Sequence, residues 1–506
     1  MSAQMNSRSH SARDAIALLT DDFAQLPSPH GVAAPDGPLG WPGYDASRAR
    51  AAERTGEEES VVWGRAAVGT AQAVLISFEF GFLGGSLGER TGDRLEAAHV
   101  YAREHRLPVV SLIATGGSRM QEGMRALTQL QRVARQSALT GEAGLPQIAV
   151  LRDPTTGGGW AALGAAADIV LALPDAQVGF AGSRVRPPDA DPTAYTAEAQ
   201  LAAGSIDAVV PPTDLRDTLS LWLTLLTTPS TEPAPPPPAL PPDGLPPNAA
   251  PHEDRRPSKG AGNGAPSPHE PTAARQPNPP PQQAPLPALP TTGWDAVQRA
   301  RSPHRPRAEA YLDAYFTRRA PLRGDRAGGT DPGMLCGFGE HEGRTVAYAA
   351  QCGTPTRPAG YRTAARLIRL ADRLGIPVLT LIDTPGAAND ADAEREGAGP
   401  AIAALFTTVA TARTPVTTLL IGEGGSGGAL ALAAPTDTWA TPDSYFSVIA
   451  PELAAAILKR PGDQVRATAD ELRLRPQDLV ELGVVRGTVT PATTPATTTA
   501  TTPAPD

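Results

Sequence analysis

Short apolar runs without polar alternation recur along the chain, each closed by glycines. VVSLIA (109–114) and IAVL (148–151) stand in the first part, VLTLI (378–382) and TTLLI (417–421) in the second. Unbroken β-branched runs of this length are the pattern of strands buried on both faces. Helical stretches follow them: Arg119 to Ala138 and Trp160 to Ala167, then Ala393 to Ala412 and Gly428 to Ala434. Buried strands alternating with helices predict an α/β fold with a mainly parallel sheet, in which ligands gather where strand ends meet helix starts.

The two parts repeat one another. Pro108 opens the first run and Pro146 the next, 38 residues on; Pro377 and Pro415 are again 38 apart. One offset of 269 carries Gly117 onto Gly386, Gly158 onto Gly427, Gly159 onto Gly428 and Asp168 onto Asp437. A run of matches in constant order is the mark of internal duplication.

Proline divides the halves: 22 of the 55 fall between Pro229 and Pro290. Such text buries little apolar surface and favours extended polyproline, so 229–292 reads as a disordered Pro-rich linker between globular halves at 11–226 and 303–487. Residues 488–506, rich in Thr, Pro and Ala, read as a disordered tail. The 506 residues suffice for two to four domains. A net charge of −9 argues against a nucleic-acid binder, and two cysteines exclude a disulfide scaffold or a four-cysteine zinc module. With no run of 18 apolar residues and no signal-peptide pattern at the start, the expectation is a soluble cytoplasmic protein without membrane or metal.

Each half offers two glycine turns between a strand and a helix. They are Thr115-Gly116-Gly117-Ser118 and Thr156-Gly157-Gly158-Gly159, then Thr384-Pro385-Gly386 and Glu423-Gly424-Gly425-Ser426-Gly427-Gly428. The first N–H groups of a helix lack internal partners, and two of them converging on one oxygen stabilise an enolate or tetrahedral oxyanion. Close packing is the plain alternative for any one pair. A phosphate loop is disfavoured because GEGGSGG lacks the following Lys-Ser/Thr.

Longer strings carry a family resemblance. FEFGFLGGSLGERTG (78–92), SLIATGGSRMQEG (111–123) and the stretch from Asp153 to Val185 resemble the β subunit of bacterial acetyl-CoA carboxylase carboxyltransferase. LIDTPGA (381–387), IGEGGSGGALAL (421–432) and SYFSVIAPE (444–452) resemble its α subunit, and the stretch from the glycine triplet to ADIVLA is similar to the wider crotonase superfamily. The resemblance implies a fused β–α chain of two crotonase-like (ClpP/crotonase) domains. It also implies transfer of CO2 from carboxybiotin, on a biotin carboxyl carrier protein, to C2 of an acyl-CoA, with acetyl-CoA giving malonyl-CoA. Gly116 and Gly117 fall where the family cradles the thioester oxygen, with Gly157 and Gly158 beside them. Gly427 and Gly428, with Gly424 and Gly425 alongside and Gly386 nearby, fall where it holds the biotin ureido oxygen. Biotin carboxylase is the implied second partner, with ATP and nucleotide binding at the level of the complex and fatty acid biosynthesis as the setting.

The chain also departs from the family. No cysteine precedes Cys336, so the usual zinc ribbon is absent and no zinc is expected. Where the α subunit commonly reads His-Gln-Lys-Gly-Arg stand Ala350-Gln351-Cys352-Gly353-Thr354, and Ala388-Asn389-Asp390 replace Tyr-Pro-Gly. Arg119, at a helix start beside a glycine turn, and Arg184 are candidates for CoA phosphate contacts, while Arg357 reads as a solvated charge. Glu122 and Glu423 would be acid/base residues only in a hydratase-like enzyme; a cap or dipole role is the commoner one. Cys352 reads as a small packed residue rather than a reactive thiol, and Trp160, Trp439 and Tyr445 as core packing. Acyl-CoA on one half and biotin on the other require facing domains, hence at least a homodimer. The rival functions are a biotin-independent hydratase, isomerase or decarboxylase of the same fold, and a non-catalytic subunit of the complex.

Overall fold

The unbroken apolar runs form the middle of two eight-stranded mixed sheets in the computed structural model of the chain, which describes residues 11–28, 34–183, 185–187, 189–241 and 289–490. The first sheet comprises β1 (Asp22–Gln25), β2 (Val61–Val68), β3 (Ala71–Phe78), β4 (Val109–Thr115), β5 (Gln147–Thr156), β6 (Ile169–Ala172), β7 (Val178–Gly179) and β8 (Ala208–Val209). Its order is β1-β2-β3-β4-β5-β6-β8, with β7 beside the end of β5. The second comprises β9 (Arg318–Leu322), β10 (Met334–His341), β11 (Arg344–Gln351), β12 (Val378–Thr384), β13 (Val416–Gly425), β14 (Thr438–Ala440), β15 (Tyr445–Ser447) and β16 (Gly487–Thr488). It runs β16-β14-β13-β12-β11-β10-β9, with β15 beside β13. Every residue of β4 and β12 is buried, as strands covered on both faces require.

The duplication holds residue by residue. β4 and β5 pair from Val109 to Gln147, β12 and β13 from Val378 to Val416, and the register shifts between Ile113 and Thr115 in one and Ile382 and Thr384 in the other. The helices Glu89–His105 and Pro358–Leu374 stand at the same offset of 269.

Helix limits depart from the sequence reading where glycines take positive φ. The Arg119–Ala138 stretch begins as a tight turn, Met120–Glu122, and becomes the helix Gly123–Glu142 after Gly123 (φ +52°). The Ala393–Ala412 stretch is split at Gly397 (φ +82°) into Ala391–Arg395 and Ala398–Thr411, the first capped by the Asp390 carboxylate. Trp160–Ala167 is a helical turn at Gly157–Gly159 continuing as a π turn through Gly164, and the last stretch is the short helix Ser426–Leu430.

The linker expectation needs correction at both ends. Residues 229–241 pack onto the second half: the Ser230 N–H donates to the Gly375 carbonyl (3.0 Å), Tyr315 Oη to that of Pro235 (3.0 Å) and the Ala239 N–H to that of Thr490 (3.2 Å). Ala234 and Ala239 are buried there. Proline rings supply apolar surface and their carbonyls remain acceptors, so a Pro-rich strand can line a groove. The second half begins before 303, with the helix Gly293–Arg301, and extends past 487, where β16 ends at Thr488 and Val489 is buried. The middle of the linker (242–288) and the tail from 491 lie outside the described residues.

The halves share one core. Trp222, on the helix Pro212–Leu226, meets Phe338 of β10 edge-on with ring centroids 6.1 Å apart. The fully buried Asp207 carboxylate accepts from Arg326 (2.6 Å) and Arg366 (3.3 Å) of the second half and from the Val170 N–H (2.8 Å). Burial alone would raise its pKa, but the guanidinia of Arg366 and Arg326 outweigh that and hold it below the usual carboxylate range. A cavity of about 810 Å³ opens between the halves beside Pro108, Pro146 and Pro415, at the strand starts and so at the far end from the glycine turns. No helix of the described residues is long and apolar enough to cross a membrane.

Candidate active site

At the other ends of the strands the glycine turns meet in pairs. A Cβ on Gly157 (φ +64°) would stand 3.2 Å from the Gly117 Cα, and one on Gly117 (φ +108°) 3.8 Å from the Gly157 Cα. In the second half a Cβ on Gly386 (φ +141°) would lie 3.5 Å from the Gly425 carbonyl oxygen, and one on Gly425 would collide with the Pro385 carbonyl. Backbone against backbone at this distance, with φ in the left-handed region, admits only glycine comfortably.

Three of the amides expected at the first oxyanion site donate within the protein. The Gly116 N–H donates to the Gly84 carbonyl (2.9 Å), the Gly117 N–H to Thr115 Oγ1 (3.1 Å) and the Gly157 N–H to the Phe180 carbonyl (3.0 Å). Those three amides therefore hold the turns together. Gly386 does likewise, donating to Thr384 Oγ1 (3.1 Å), while Gly424 and Gly425 are buried in the β13–β15 ladder beside Phe446 and Ser447. Gly158 and Gly159 are the second and third residues of one short helical turn, where the N–H groups of a first turn lack intrahelical partners. Their equivalents are Gly427 and Gly428, second and third residues of the helix Ser426–Leu430. Gly158 was anticipated and Gly159 was not, although the offset of 269 already placed it on Gly428. Ser426, the counterpart of Gly157, holds the left-handed position at φ +57° without being glycine, a feature with no sequence signal of its own.

The four donors differ in their surroundings. Gly158 is packed, since a Cβ there would meet both Leu130 methyls at 2.5 Å, whereas nothing stands within 4 Å of a Cβ on Gly427. Ser426 and Leu430 beside it are exposed. Under Gly428 lie two side chains to which the sequence reading gave no role in the site: Tyr361 Oη and Gln351 Nε2 both donate to its carbonyl, at 3.1 and 3.2 Å.

Arg119 does not reach solvent, and the expected phosphate contact is corrected accordingly. Its guanidinium is ion-paired with Glu59 and bonded to the Ser86 carbonyl (2.7 Å) and Tyr44 Oη (3.2 Å), with a side-chain exposure of 0 %. Glu59 is equally enclosed; burial would raise its pKa, but the facing guanidinium holds it at about 2. Arg184 lies outside the described residues. Arg357 pairs with Asp390 (3.3 Å) and Glu396 (3.1 Å), in keeping with a surface charge.

Neither glutamate is posed as a base. Glu122 accepts from Tyr44 Oη (2.5 Å) and from the Glu89 N–H (2.6 Å), capping the helix Glu89–His105. Glu423 is held by Arg301 Nε (2.9 Å) and Tyr445 Oη (2.8 Å). Burial pushes the half-buried Cys352 thiol up to about 11, away from the reactive range. Trp160 is buried in the first core, Trp439 packs against the second, and Tyr445 packs with Ala296 and Ala469.

Comparison with known proteins follows the same division. Residues 42–232 match the family described as carboxyl transferase domain, and 289–503 the family described as acetyl co-enzyme A carboxylase carboxyltransferase-like. The chain is 36% identical over 504 residues to the acetyl-coenzyme A carboxylase carboxyl transferase subunits beta/alpha of Salinispora arenicola, covering 95% of this chain and 82% of that one. With the protein of the same name from Salinispora tropica the identity is 37% over 454 residues, covering 86% and 74%. Among solved structures, the transcarboxylase 12S hexamer crystallised with hydrolysed methylmalonyl-coenzyme A superposes with a TM-score of 0.71 at 19% identity, covering 98% of this chain and 93% of that chain, which speaks to the two-domain fold. By sequence across both halves, and by the paired turns that its two sheets present, this chain is a carboxyltransferase of the fused beta/alpha acetyl-CoA carboxylase family.

Proposed function

We propose that the protein moves a carboxyl group from carboxybiotin, borne by a biotin carboxyl carrier protein, to C2 of an acyl-CoA, with acetyl-CoA giving malonyl-CoA. The observation that carries this reading is the matched pair of helix-start glycines, Gly158 with Gly159 and Gly427 with Gly428, at the same position of two duplicated halves. The first pair holds the thioester oxygen as C2 becomes nucleophilic. The second holds the ureido oxygen as it gains charge. Donors fixed in place before the charge develops are worth about 3–4 kcal/mol each in comparable sites. Carboxybiotin, when bound, supplies both the CO2 and the base for the C2 proton. The chain's own carboxylates fit that division, since Glu122 and Glu423 are tied to cap, tyrosine and arginine partners.

A second copy completes the cleft in this reading. Within one chain the halves join along Asp207, Arg366 and Trp222, and the cavity of about 810 Å³ between them lies at the strand starts. Exposed apolar side chains stand ready on both halves: Met120, Met124 and Leu127 on the first, Leu453, Ile457 and Leu458 on the second. Biotin carboxylase would recharge the carrier in the cytoplasm, in a separate ATP-dependent step.

The test is the reverse reaction. Malonyl-CoA and a free biotin derivative such as biocytin should yield acetyl-CoA, with methylmalonyl-CoA to propionyl-CoA as the comparison. A folded, oligomeric preparation that releases acetyl-CoA no faster than a no-enzyme control would overturn the assignment.

A further inference from the structure

The second oxyanion turn rests on a support that its duplicate lacks. Tyr361 stands on the helix Pro358–Leu374, and the offset of 269 carries it onto Gly92 of the helix Glu89–His105. Where the first half has no side chain, the second has a phenol with 0 % exposure, donating to the Gly428 carbonyl at 3.1 Å. Gln351, the last residue of β11, donates to the same carbonyl at 3.2 Å and to Thr356 Oγ1 at 3.1 Å. The Thr356 N–H in turn holds the Gly386 carbonyl (3.1 Å). Gln351 is thus a strut between the two glycine turns of this half, and it is fully buried with its Oε1 unpartnered.

The need for the support is visible in the helix itself. Ser426–Leu430 has only five residues; Ala431 donates to Gly427 and Leu432 to Ala429, so neither N–H that follows the helix takes the Gly428 carbonyl. Without side-chain donors that carbonyl would be buried and unpaired, and the peptides on either side would be free to rotate. Rotation of those peptides turns the Gly427 and Gly428 N–H groups away from a common point.

We propose that Tyr361 and Gln351 are positioning residues for the second-half oxyanion site, fixing the Gly428 carbonyl so that the neighbouring amides converge. The inference deepens the reading of that half as the biotin side and rests on it. Neither residue touches substrate; both act through the peptide they hold.

The experiment is the biocytin-dependent reverse reaction with full-length Tyr361→Phe, Gln351→Met and the double variant, alongside Gly427→Ala, with thermal melting of each. Loss of one neutral hydrogen bond in the aim of a donor pair should lower kcat about five- to tenfold. KM for malonyl-CoA, bound on the other half, should stay within twofold, with the melting temperature of Tyr361→Phe close to that of the parent. The double variant should lose more than the product of the two single effects, since only then is the carbonyl left unpaired. A Tyr361→Phe enzyme with unchanged kcat, or one whose loss appears wholly as a lower melting temperature, overturns the inference. An inactive parent, or a fully active Gly427→Ala, strikes instead at the assignment of the site.

Discussion

Gly117 and Gly386 occupy one position in two copies of the same turn, 269 residues apart, and each donates its N–H to the threonine two residues before it at 3.1 Å. The carbonyls match as well: Leu87 N–H holds that of Gly117 at 2.9 Å, Thr356 N–H that of Gly386 at 3.1 Å. These glycines hold each turn, and the proposed donors stand one strand over, on the helical turns after β5 and β13.

Gly427→Ala is the cleanest probe of that division. Its new Cβ meets nothing within 4 Å, so it enters the space in front of the amides without disturbing the fold. Carboxyl transfer should fall about 10- to 100-fold while the melting temperature stays level or rises, alanine being the better helix former. Gly428→Ala is the contrasting variant: its Cβ would press on Tyr361 Oη at 2.6 Å and on the Ala387 backbone, so it should lose stability as well as activity.

Arg119→Met should act on stability and not on CoA affinity. It leaves Glu59 as an unpaired charge in a site with 1 % side-chain exposure, a loss of about 3–5 kcal/mol in urea melts. A raised KM for malonyl-CoA with unaltered stability would instead restore the phosphate-binding role.

Glu122→Gln and Glu423→Gln should each keep transfer within tenfold of the parent, measured as acetyl-CoA release. Both carboxylates serve neighbours: the Glu89 N–H and Tyr44 in one case, Arg301 and Tyr445 in the other. A loss of a thousandfold or more would point to acid/base chemistry of the hydratase kind.

Acid should weaken the first half through His99. Burial, with Arg103 nearby, lowers its pKa to about 4, and its Nδ1 lies 3.0 Å from Thr140 Oγ1. A folded pKa below the unfolded one means the contribution is complete above the unfolded value near 6.5 and is lost as pH falls towards 4. The span corresponds to about 3 kcal/mol. Urea melts between pH 7.5 and 4.5 should show this slope, and His99→Leu should flatten it.

Much of this architecture was readable before any coordinates. The constant offset, the buried runs and the glycine clusters already described the two-sheet duplication and put Gly427 and Gly428 at a helix start after β13. In the first half the sequence could not say that the Gly116, Gly117 and Gly157 amides donate within the protein, because a glycine turn looks the same whichever acceptor its N–H finds. Arg119 misled for a similar reason: a cation beside a glycine turn suggests a phosphate, but its partner Glu59 is 60 residues away in sequence. Tyr361 carries no motif, and Gln351, although it stands at the Gln of the family's His-Gln-Lys-Gly-Arg segment, has nothing in the sequence that ties it to a carbonyl 77 residues further along the chain. The proline-rich ends of the linker packed for a reason composition does not register: a groove lined by Tyr311, Tyr315 and Val489 was there to receive Ala234 and Ala239.

That docked proline strand changes what the fusion accomplishes. Pro235 and Pro290, on either side of the middle of the linker, are both held on the second half, by Tyr315 and Gln477, while Trp222 against Phe338 and Asp207 between two arginines bind the halves directly. Covalent continuity is then redundant for assembly. A protease nick anywhere from 242 to 288 should leave two fragments that co-elute on gel filtration, so a one-gene and a two-gene version of this protein would be the same particle.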